Sequence, residues 1–522
     1  MRGDSLTVGA ILRRQSRSRA DHPLLVCDAD RIAYGEADRR SAELARGLIA
    51  LGAGKGTHVG LLYPNGAEFV VGMLAAARIG AVVIPFSTFA TARELREQLV
   101  DGDVEILLSA KSFRSHDYAE RLAGVLGVPD FDSRLFVAAV PQLRHVAVNC
   151  ERAYRLATTV EPAYLAAMQD DVDGCDPLAI VYTSGSTSSP KGVVHTHAAL
   201  IGHQRNLNEI RGLSAEDRLF CNSPFFWIGG LAFGLLATLI AGSTLVCSNA
   251  TDPGRVLDML EAEKPTTTNG FTAGIAHLAE HPSFADRDLS SLRRGNLYPI
   301  MAPDARPADP ELRHNMLGMT EAGSVVLISD DESDQPESRR GSFGRPAPGF
   351  QTMIVDPDTG APVDAGEVGE LCIRGPYVMQ RYHKRSREEC FDADGWLHTG
   401  DLMRADTDGF FYFTGRLSAM IKSSGANVSA AEVEKAIAKA TGGMSAHVVG
   451  IPDARRGHLV AAVVALPDGS TPFDEAMLRE RLKAELSAYK IPKRFLAVPR
   501  TELPLQSSGK VDTQQLKTWF DA

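Results

Sequence analysis

Short apolar runs alternating with amphipathic stretches constrain this chain more than any other feature. Residues 59–63 form a compact apolar run that ends in Pro64-Asn65-Gly66, a turn signal. A helical stretch, 67–78, follows, and then a second apolar run, 81–86. Upstream, Leu44, Leu48 and Leu51 recur at spacings of four and three, as on one face of a helix. Strand–helix–strand order of this kind predicts parallel sheet with helices packed on it. Residues 178–182 are another buried-strand candidate and run straight into a polar loop of small residues. The last hundred residues read differently. Residues 447–451 and 459–466 are expected as strands and 474–486 as a charged amphipathic helix, together a small α+β unit able to fold as its own domain. At 522 residues the chain exceeds the roughly 250–300 that one core supports. The expected fold class is therefore α/β: a large N-terminal domain, 1–415, of mixed and parallel sheets flanked by helices, and a small α+β C-terminal domain, 416–522.

Charge and cysteine usage narrow the function classes. A net charge of −10 argues against nucleic-acid binding, which needs a basic face to neutralise phosphates. Seven widely spaced cysteines with no Cys-x-x-Cys pair fit a reducing cytoplasm better than a disulfide framework or a zinc site. The arginines of residues 1–20 flank only a short apolar stretch, so no secretory signal is read there. Residues 228–247 carry no charge and are long enough to span a bilayer. Their glycines, Gly229, Gly230, Gly234 and Gly242, instead predict a buried helix running into a strand. Residues 329–340 are polar and acidic and are expected as an exposed loop.

The strongest local signal is Thr183-Ser184-Gly185-Ser186-Thr187-Ser188-Ser189-Pro190-Lys191-Gly192, directly after a predicted strand. Small hydroxyl residues and glycines let backbone N–H groups approach phosphate oxygens, and Lys191 supplies a cation. The spacing is not that of a Walker loop. Gly52-Ala53-Gly54-Lys55-Gly56-Thr57 fails that test too and reads as a turn. His195 and His197 follow the loop without a third metal ligand nearby and are read as structural.

This loop resembles the phosphate-gripping loop of the adenylate-forming superfamily, which includes acyl-CoA synthetases, peptide-synthetase adenylation domains and beetle luciferases. Five further elements follow in the family's order. Gly318-Met319-Thr320-Glu321 resembles the Thr-Glu element, in which Thr320 would bond the α-phosphate and Glu321 would hold magnesium. Gly369-Glu370-Leu371-Cys372-Ile373-Arg374-Gly375 resembles a structural strand. Trp396-Leu397-His398-Thr399-Gly400-Asp401 is similar to the ribose element, with Asp401 on the ribose hydroxyls, and Gly415-Arg416 then opens the domain junction, with Arg416 resembling a second ribose contact. Leu503-Pro504-Leu505-Gln506-Ser507-Ser508-Gly509-Lys510 is similar to the element that bears the catalytic lysine. The resemblance spans about residue 5 to the end. It implies that the small domain is mobile about a hinge at Ser418, and that Ser424 and Gly425 help form a coenzyme A tunnel. It also places Phe226, Trp227, Gly229 and Gly230 at the acyl pocket, where aromatic walls disfavour an amino-acid substrate. Three positions depart from the pattern. Ser188 replaces a glycine, Leu317 replaces a tyrosine, and 297–303 stands where a Gly-Gly-Ala-Pro-type loop is usual, so Tyr298 and its neighbours are expected to face adenine.

The reaction this implies is activation of a hydrophobic carboxylic acid by ATP, with Mg2+, to an acyl-adenylate and transfer to CoA, as in fatty-acid and lipid metabolism. Two anions must meet, so the site needs cations where charge develops; magnesium on Glu321, Lys191 and Lys510 are those available. Thr183, Ser184, Gly185, Ser186, Thr187, Lys191, Gly318, Thr320, Asp401, Arg416 and Lys510 make up the expected nucleotide site, with Lys510, Thr320 and Glu321 its catalytic members. No Gly-x-Ser-x-Gly elbow supports a serine hydrolase. The alternatives are loading of a carrier protein and non-catalytic adenylate binding. Neither nucleic acid nor stable membrane insertion is expected; a homodimer is compatible with the sequence.

Overall fold

The structure, a computed structural model, describes residues 6–183, 191–272, 275–417, 420–423, 426–453, 457–467, 473–483, 485–486, 490–506 and 510–520. These form two compact units. One takes the chain through Gln351 together with Arg374–Gly395; the other takes Thr352–Ile373 and the chain from Trp396. The compact units thus part upstream of residue 415, because strand Gly369–Arg374 pairs with Leu397–Ala405 and so joins the later part of the chain.

The first unit is built on two large sheets. In one, Val82–Pro85, His58–Leu62, Ile106–Ser109 and His145–Val148 run parallel beside Pro177–Tyr182, with Gly192–Thr196 and Arg381–Tyr382 added antiparallel at one edge. In the other, Arg294–Gly295, Thr267–Asn269, Arg218–Cys221, Thr244–Cys247 and Pro23–Cys27 run parallel, closed by antiparallel Asp30–Ala33. The apolar runs at 59–63, 81–86 and 178–182 are therefore parallel-sheet strands, as their lack of alternation requires. Helix Ala67–Ala77 is buried on every side except at Glu68, so it belongs to the core rather than to a surface. Helix Tyr34–Ala50 buries Leu44 and Leu48 on one face and packs against helix Glu151–Leu156.

The charge-free stretch 228–247 enters as π-helical turns, Gly229–Leu236, continues as helix Ala237–Ala241 and ends in strand Thr244–Cys247. Gly242 stops the helix in the left-handed region, φ 78°, with its N–H bonded to Thr238 O. The expectation of a helix running into a strand holds, with wider turns at its start. Among the described residues no helix is long and apolar enough to cross a membrane.

The second unit holds two sheets. Gly369–Arg374, Leu397–Ala405 and Phe411–Arg416 pair antiparallel, with Gln351–Val355 at the edge. In the other, Gly457–Leu466 pairs antiparallel with Ala446–Asp453 and parallel with Arg494–Pro499. Val460, Ala462 and Val464 join one core cluster, and Ala461 and Val463 another, so this strand is buried on both faces. The 474–486 expectation is met by helix Glu475–Leu482 with Asp474 as its N-cap.

Gly47 shows packing overriding helix propensity. A Cβ there would lie 2.1 Å from Ala153 O. Alanine in a helix interior normally gains about 1 kcal/mol over glycine. Here overpacking costs about 1–3 kcal/mol. Gly47→Ala is therefore expected to lower the urea-unfolding midpoint, whereas an unchanged or raised midpoint would show that the two helices separate freely.

Candidate active site

The phosphate-loop candidate sits on a hairpin. Strand Pro177–Tyr182 pairs antiparallel with Gly192–Thr196, and Thr183 N–H donates to Lys191 O at 3.0 Å. Thr183 and Lys191 are thus the two roots of the loop. Ser184, Gly185, Ser186, Thr187 and Ser188 lie outside the described residues.

Lys191 is placed by the next strand over. Val193 and Tyr382 are register partners, and Lys191 Nζ lies 4.9 Å from the Tyr382 ring centre, a cation–π distance. The Tyr382 hydroxyl donates to Glu321 Oε1 at 2.8 Å. Burial, reinforced by the Glu321 charge, holds the Tyr382 hydroxyl well above its ordinary pKa, so it remains a donor. One side chain therefore contacts both the cation and the carboxylate.

Thr320 and Glu321 lie in a 3-10 turn between strands Leu317–Met319 and Ser324–Ile328. Gly323 closes the turn at φ 70°, its N–H on Thr320 O at 2.9 Å, and Met379 N–H donates to Glu321 O at 2.8 Å. His195 Nε2 lies 2.7 Å from Thr320 O. Burial pulls His195 down to about 4, so the ring is neutral, and since a carbonyl only accepts, Nε2 carries the proton. Gly318 is packed so closely that a Cβ would sit 3.1 Å from Ser324 O. Sequence reading missed Tyr382 and Met379 altogether and left His195 as merely structural; only strand pairing brings these residues to the turn. His197 binds elsewhere, its Nδ1 accepting from Val8 N–H at 3.2 Å.

In the second unit Asp401 and Arg416 are register partners on adjacent antiparallel strands. Arg416 Nε lies 2.6 Å from Asp401 Oδ1, and the carboxylate is buried while the guanidinium is half-exposed. Buried Glu370 supports the turn before Asp401. Its Oε1 accepts from Gly400 N–H at 2.8 Å, and its Oε2 lies 2.8 Å from His398 Nδ1. Cys372 Sγ is 3.5 Å from the same nitrogen. The strand read as purely structural thus braces the turn that carries Asp401. Lys510 is exposed, and Gln506 N–H donates to its carbonyl at 2.7 Å. Ser418, expected at a hinge, and Ser424 and Gly425, expected at a coenzyme A tunnel, lie outside the described residues.

The acyl-pocket candidates belong to an edge-to-face aromatic row in the first unit. Phe226 meets Phe89 at 5.8 Å and Trp227 at 5.5 Å, and Trp227 meets Phe271 at 5.5 Å. Phe89 and Phe271 are exposed, although neither stood out in the sequence. Three asparagines hold this wall. Asn65 bonds Ser223 O and Phe225 N–H, Asn222 bonds both backbone groups of Phe271, and Asn296 bonds both of Gly270. A Cβ at Gly229 would lie 3.3 Å from Ser223 Oγ, closer than ordinary van der Waals contact. Gly230 does not make room for a ligand: its Cβ would lie 2.1 Å from Pro224 O, so the absent side chain makes way for backbone. Tyr298 packs against the cluster of Leu297, Ile300 and Met301, which gives its ring a core role in addition to any ligand-facing one.

Comparison with known proteins gives the class. The family model described as AMP-binding enzyme matches residues 12–383, and the one described as AMP-binding enzyme C-terminal domain matches 432–510. A feruloyl-CoA synthase of an Amycolatopsis species is 34% identical, covering 94% of each chain. A Mycobacterium tuberculosis CoA ligase, named for a methyl-dioxo-octahydroindenyl propanoyl group, is 32% identical over 99% of each chain. The crystal structure of ATP-bound MatB from Rhodopseudomonas palustris superposes with a TM-score of 0.83 over 99% of each chain at 24% identity, a likeness of fold. The fold is that of the adenylate-forming enzymes. The chain belongs to the AMP-binding enzyme family and is an AMP-forming acid–CoA ligase of the acyl-CoA synthetase type.

The buried histidines of this unit set an acid limit on stability. Burial holds His195 and His197 down to about 4 and His203 to about 3, against 6.5 when exposed. Between those values the unfolded chain binds more protons, so stability is lost as pH falls from 6.5 toward 4. Each ring contributes up to about 1.4 kcal/mol per pH unit in that window. The urea-unfolding midpoint is expected to drop steeply between about pH 6.5 and 4.5. A flat profile would show the rings to be solvated.

Proposed function

We propose that this chain activates a hydrophobic carboxylic acid with ATP and passes the acyl group to coenzyme A. In the first step a carboxylate oxygen bonds the α-phosphorus and pyrophosphate leaves. In the second the CoA thiolate attacks the acyl carbonyl and AMP leaves. The observation that carries this reading is the Tyr382 side chain, which holds Lys191 and Glu321 in a fixed relation beside the Thr183 loop. In it, Thr183, Ser184, Gly185, Ser186, Thr187 and Lys191 grip phosphates, Gly318 lets the backbone come close, and Thr320 bonds the α-phosphate.

Glu321 suits Mg2+, which favours one or two carboxylates plus phosphate oxygens. Tyr382 occupies only Oε1, leaving the other oxygen for the ion. When bound, magnesium would screen the phosphate charges. Asp401 and Arg416 take the ribose, and Lys510 stabilises charge in adenylation. Ser418 is the hinge, and Ser424 and Gly425 border the thiol's path. The functional division falls between 1–415 and 416–522. Phe226 and Trp227 form the acyl wall, in keeping with relatives named for ring-bearing acids. Seven free cysteines favour a cytoplasmic setting.

The direct test is AMP release with ATP, magnesium and a panel of acids, with and without CoA. AMP formation that requires both acid and CoA is expected; acid-dependent pyrophosphate exchange with no CoA-dependent AMP would point to a carrier-protein acceptor instead. Lys510→Ala should cut adenylation by about 10²–10³-fold while thioester formation from supplied acyl-adenylate stays within about 3-fold. Equal loss in both half-reactions would refute separate roles for the two steps. Glu321→Ala should raise the magnesium concentration needed for half-maximal rate, and an unchanged requirement would remove Glu321 as the ligand.

A further inference from the structure

Strand pairing gathers three metal-binding side chains that their spacing in the sequence does not reveal. Cys372 and His398 are register partners on the antiparallel strands Gly369–Arg374 and Leu397–Ala405, so the two side chains are cross-strand neighbours. Glu370, two residues before Cys372, reaches the same imidazole. Its Oε2 is 2.8 Å from His398 Nδ1, Cys372 Sγ is 3.5 Å from that nitrogen, and the three donor atoms all lie within 4.8 Å of one another. Glu370 and Cys372 are buried, while His398 is exposed and gives the cluster a way to solvent.

The geometry excludes the more familiar use of a thiol, an imidazole and a carboxylate. In a nucleophilic relay the thiol meets one ring nitrogen and the carboxylate orients the other. Here both converge on Nδ1, so the ring cannot bridge them. Three unlike donors around one point are instead the layout of a metal centre. Tetrahedral zinc, with bonds of about 2.0–2.3 Å, sets its ligand atoms about 3.3–3.7 Å apart. The spacing between Cys372 and His398 already matches. The spacing between Glu370 and His398 has to open by about 0.5 Å, which a small turn of the exposed imidazole supplies. An outer support is also in place: Glu370 Oε1 accepts from Gly400 N–H at 2.8 Å, which orients the carboxylate and leaves Oε2 for an ion.

We propose that Glu370 Oε2, Cys372 Sγ and His398 Nδ1 bind a divalent transition metal of the zinc class, with water completing a fourth position. Thiolate and imidazole select such an ion over Mg2+, which takes oxygen ligands. The site is therefore separate from the magnesium of the proposed reaction and does not depend on the ligase reading. On binding, the thiol proton goes to solvent and the imidazole proton moves to Nε2. The ion ties Gly369–Arg374 to Leu397–Ala405 just before Asp401 and clamps the turn that carries it.

The probe is Co2+, whose bond to a thiolate gives a charge-transfer band in the near ultraviolet. The reduced, metal-free full chain should bind a single Co2+ with that band; Zn2+ should displace it and excess Mg2+ should not. Cys372→Ser should abolish the band, whereas Cys175→Ser, at an exposed thiol outside the cluster, should leave it unchanged. His398→Gln, a change at an exposed position, should weaken Co2+ binding by at least about 10-fold, since losing even a supporting partner of a ligand costs about 10–100-fold. Zn2+ should raise the urea-unfolding midpoint of the wild type but not that of His398→Gln. A wild type without the band, a band that survives Cys372→Ser, or unchanged affinity in His398→Gln overturns the inference. If Cys372→Ser does not fold, His398→Gln decides alone.

Discussion

The hydrogen bond from Tyr382 to Glu321 is the contact on which the proposed nucleotide site of the first unit depends. Anions have to be brought together, so a cation and a carboxylate must sit at a set distance without neutralising each other. Tyr382 does this with one ring: its face takes Lys191 and its hydroxyl takes Glu321. The raised pKa of the hydroxyl keeps the arrangement one-way, since the phenol only donates to the carboxylate. The remaining pins, from Gly323, Met379 and His195, hold the backbone carbonyls of the same turn. In the proposed site the Thr320 side chain and the second oxygen of Glu321 are the groups offered to a ligand, the carbonyls of the turn being already bonded.

The second unit uses strand register to bring a cation and a carboxylate into a direct ion pair. Asp401 and Arg416 face each other because Leu397–Ala405 and Phe411–Arg416 are antiparallel and in that register; a slip of one residue would send the two side chains to opposite faces. Glu370 then fixes the Gly400 turn from a third strand. A buried carboxylate is costly unless fully bonded, and this one has both oxygens engaged.

Around the aromatic row the design is one of backbone held by amides. Asn65, Asn222 and Asn296 satisfy main-chain groups of loops that no sheet reaches, which lets Phe89 and Phe271 stay exposed without the wall collapsing. Gly230 permits the turn that starts the π-helical segment.

Much of this was legible in the amino-acid order. Unbroken apolar runs determined the parallel strands, the glycines of 228–247 ruled out a membrane helix, and six short elements identified the family. Those features are local: each depends on side-chain type and spacing within a few residues. What only the tertiary structure decided are partnerships across long separations. Tyr382 meets Glu321 across 61 residues, His195 meets Thr320 across 125, and Asn65 meets Phe225 across 160. Tyrosine, histidine and asparagine are common core and loop residues, so nothing in their neighbourhoods marks them. Strand order and register give them their roles, and these follow from how the whole apolar surface is buried rather than from any one segment.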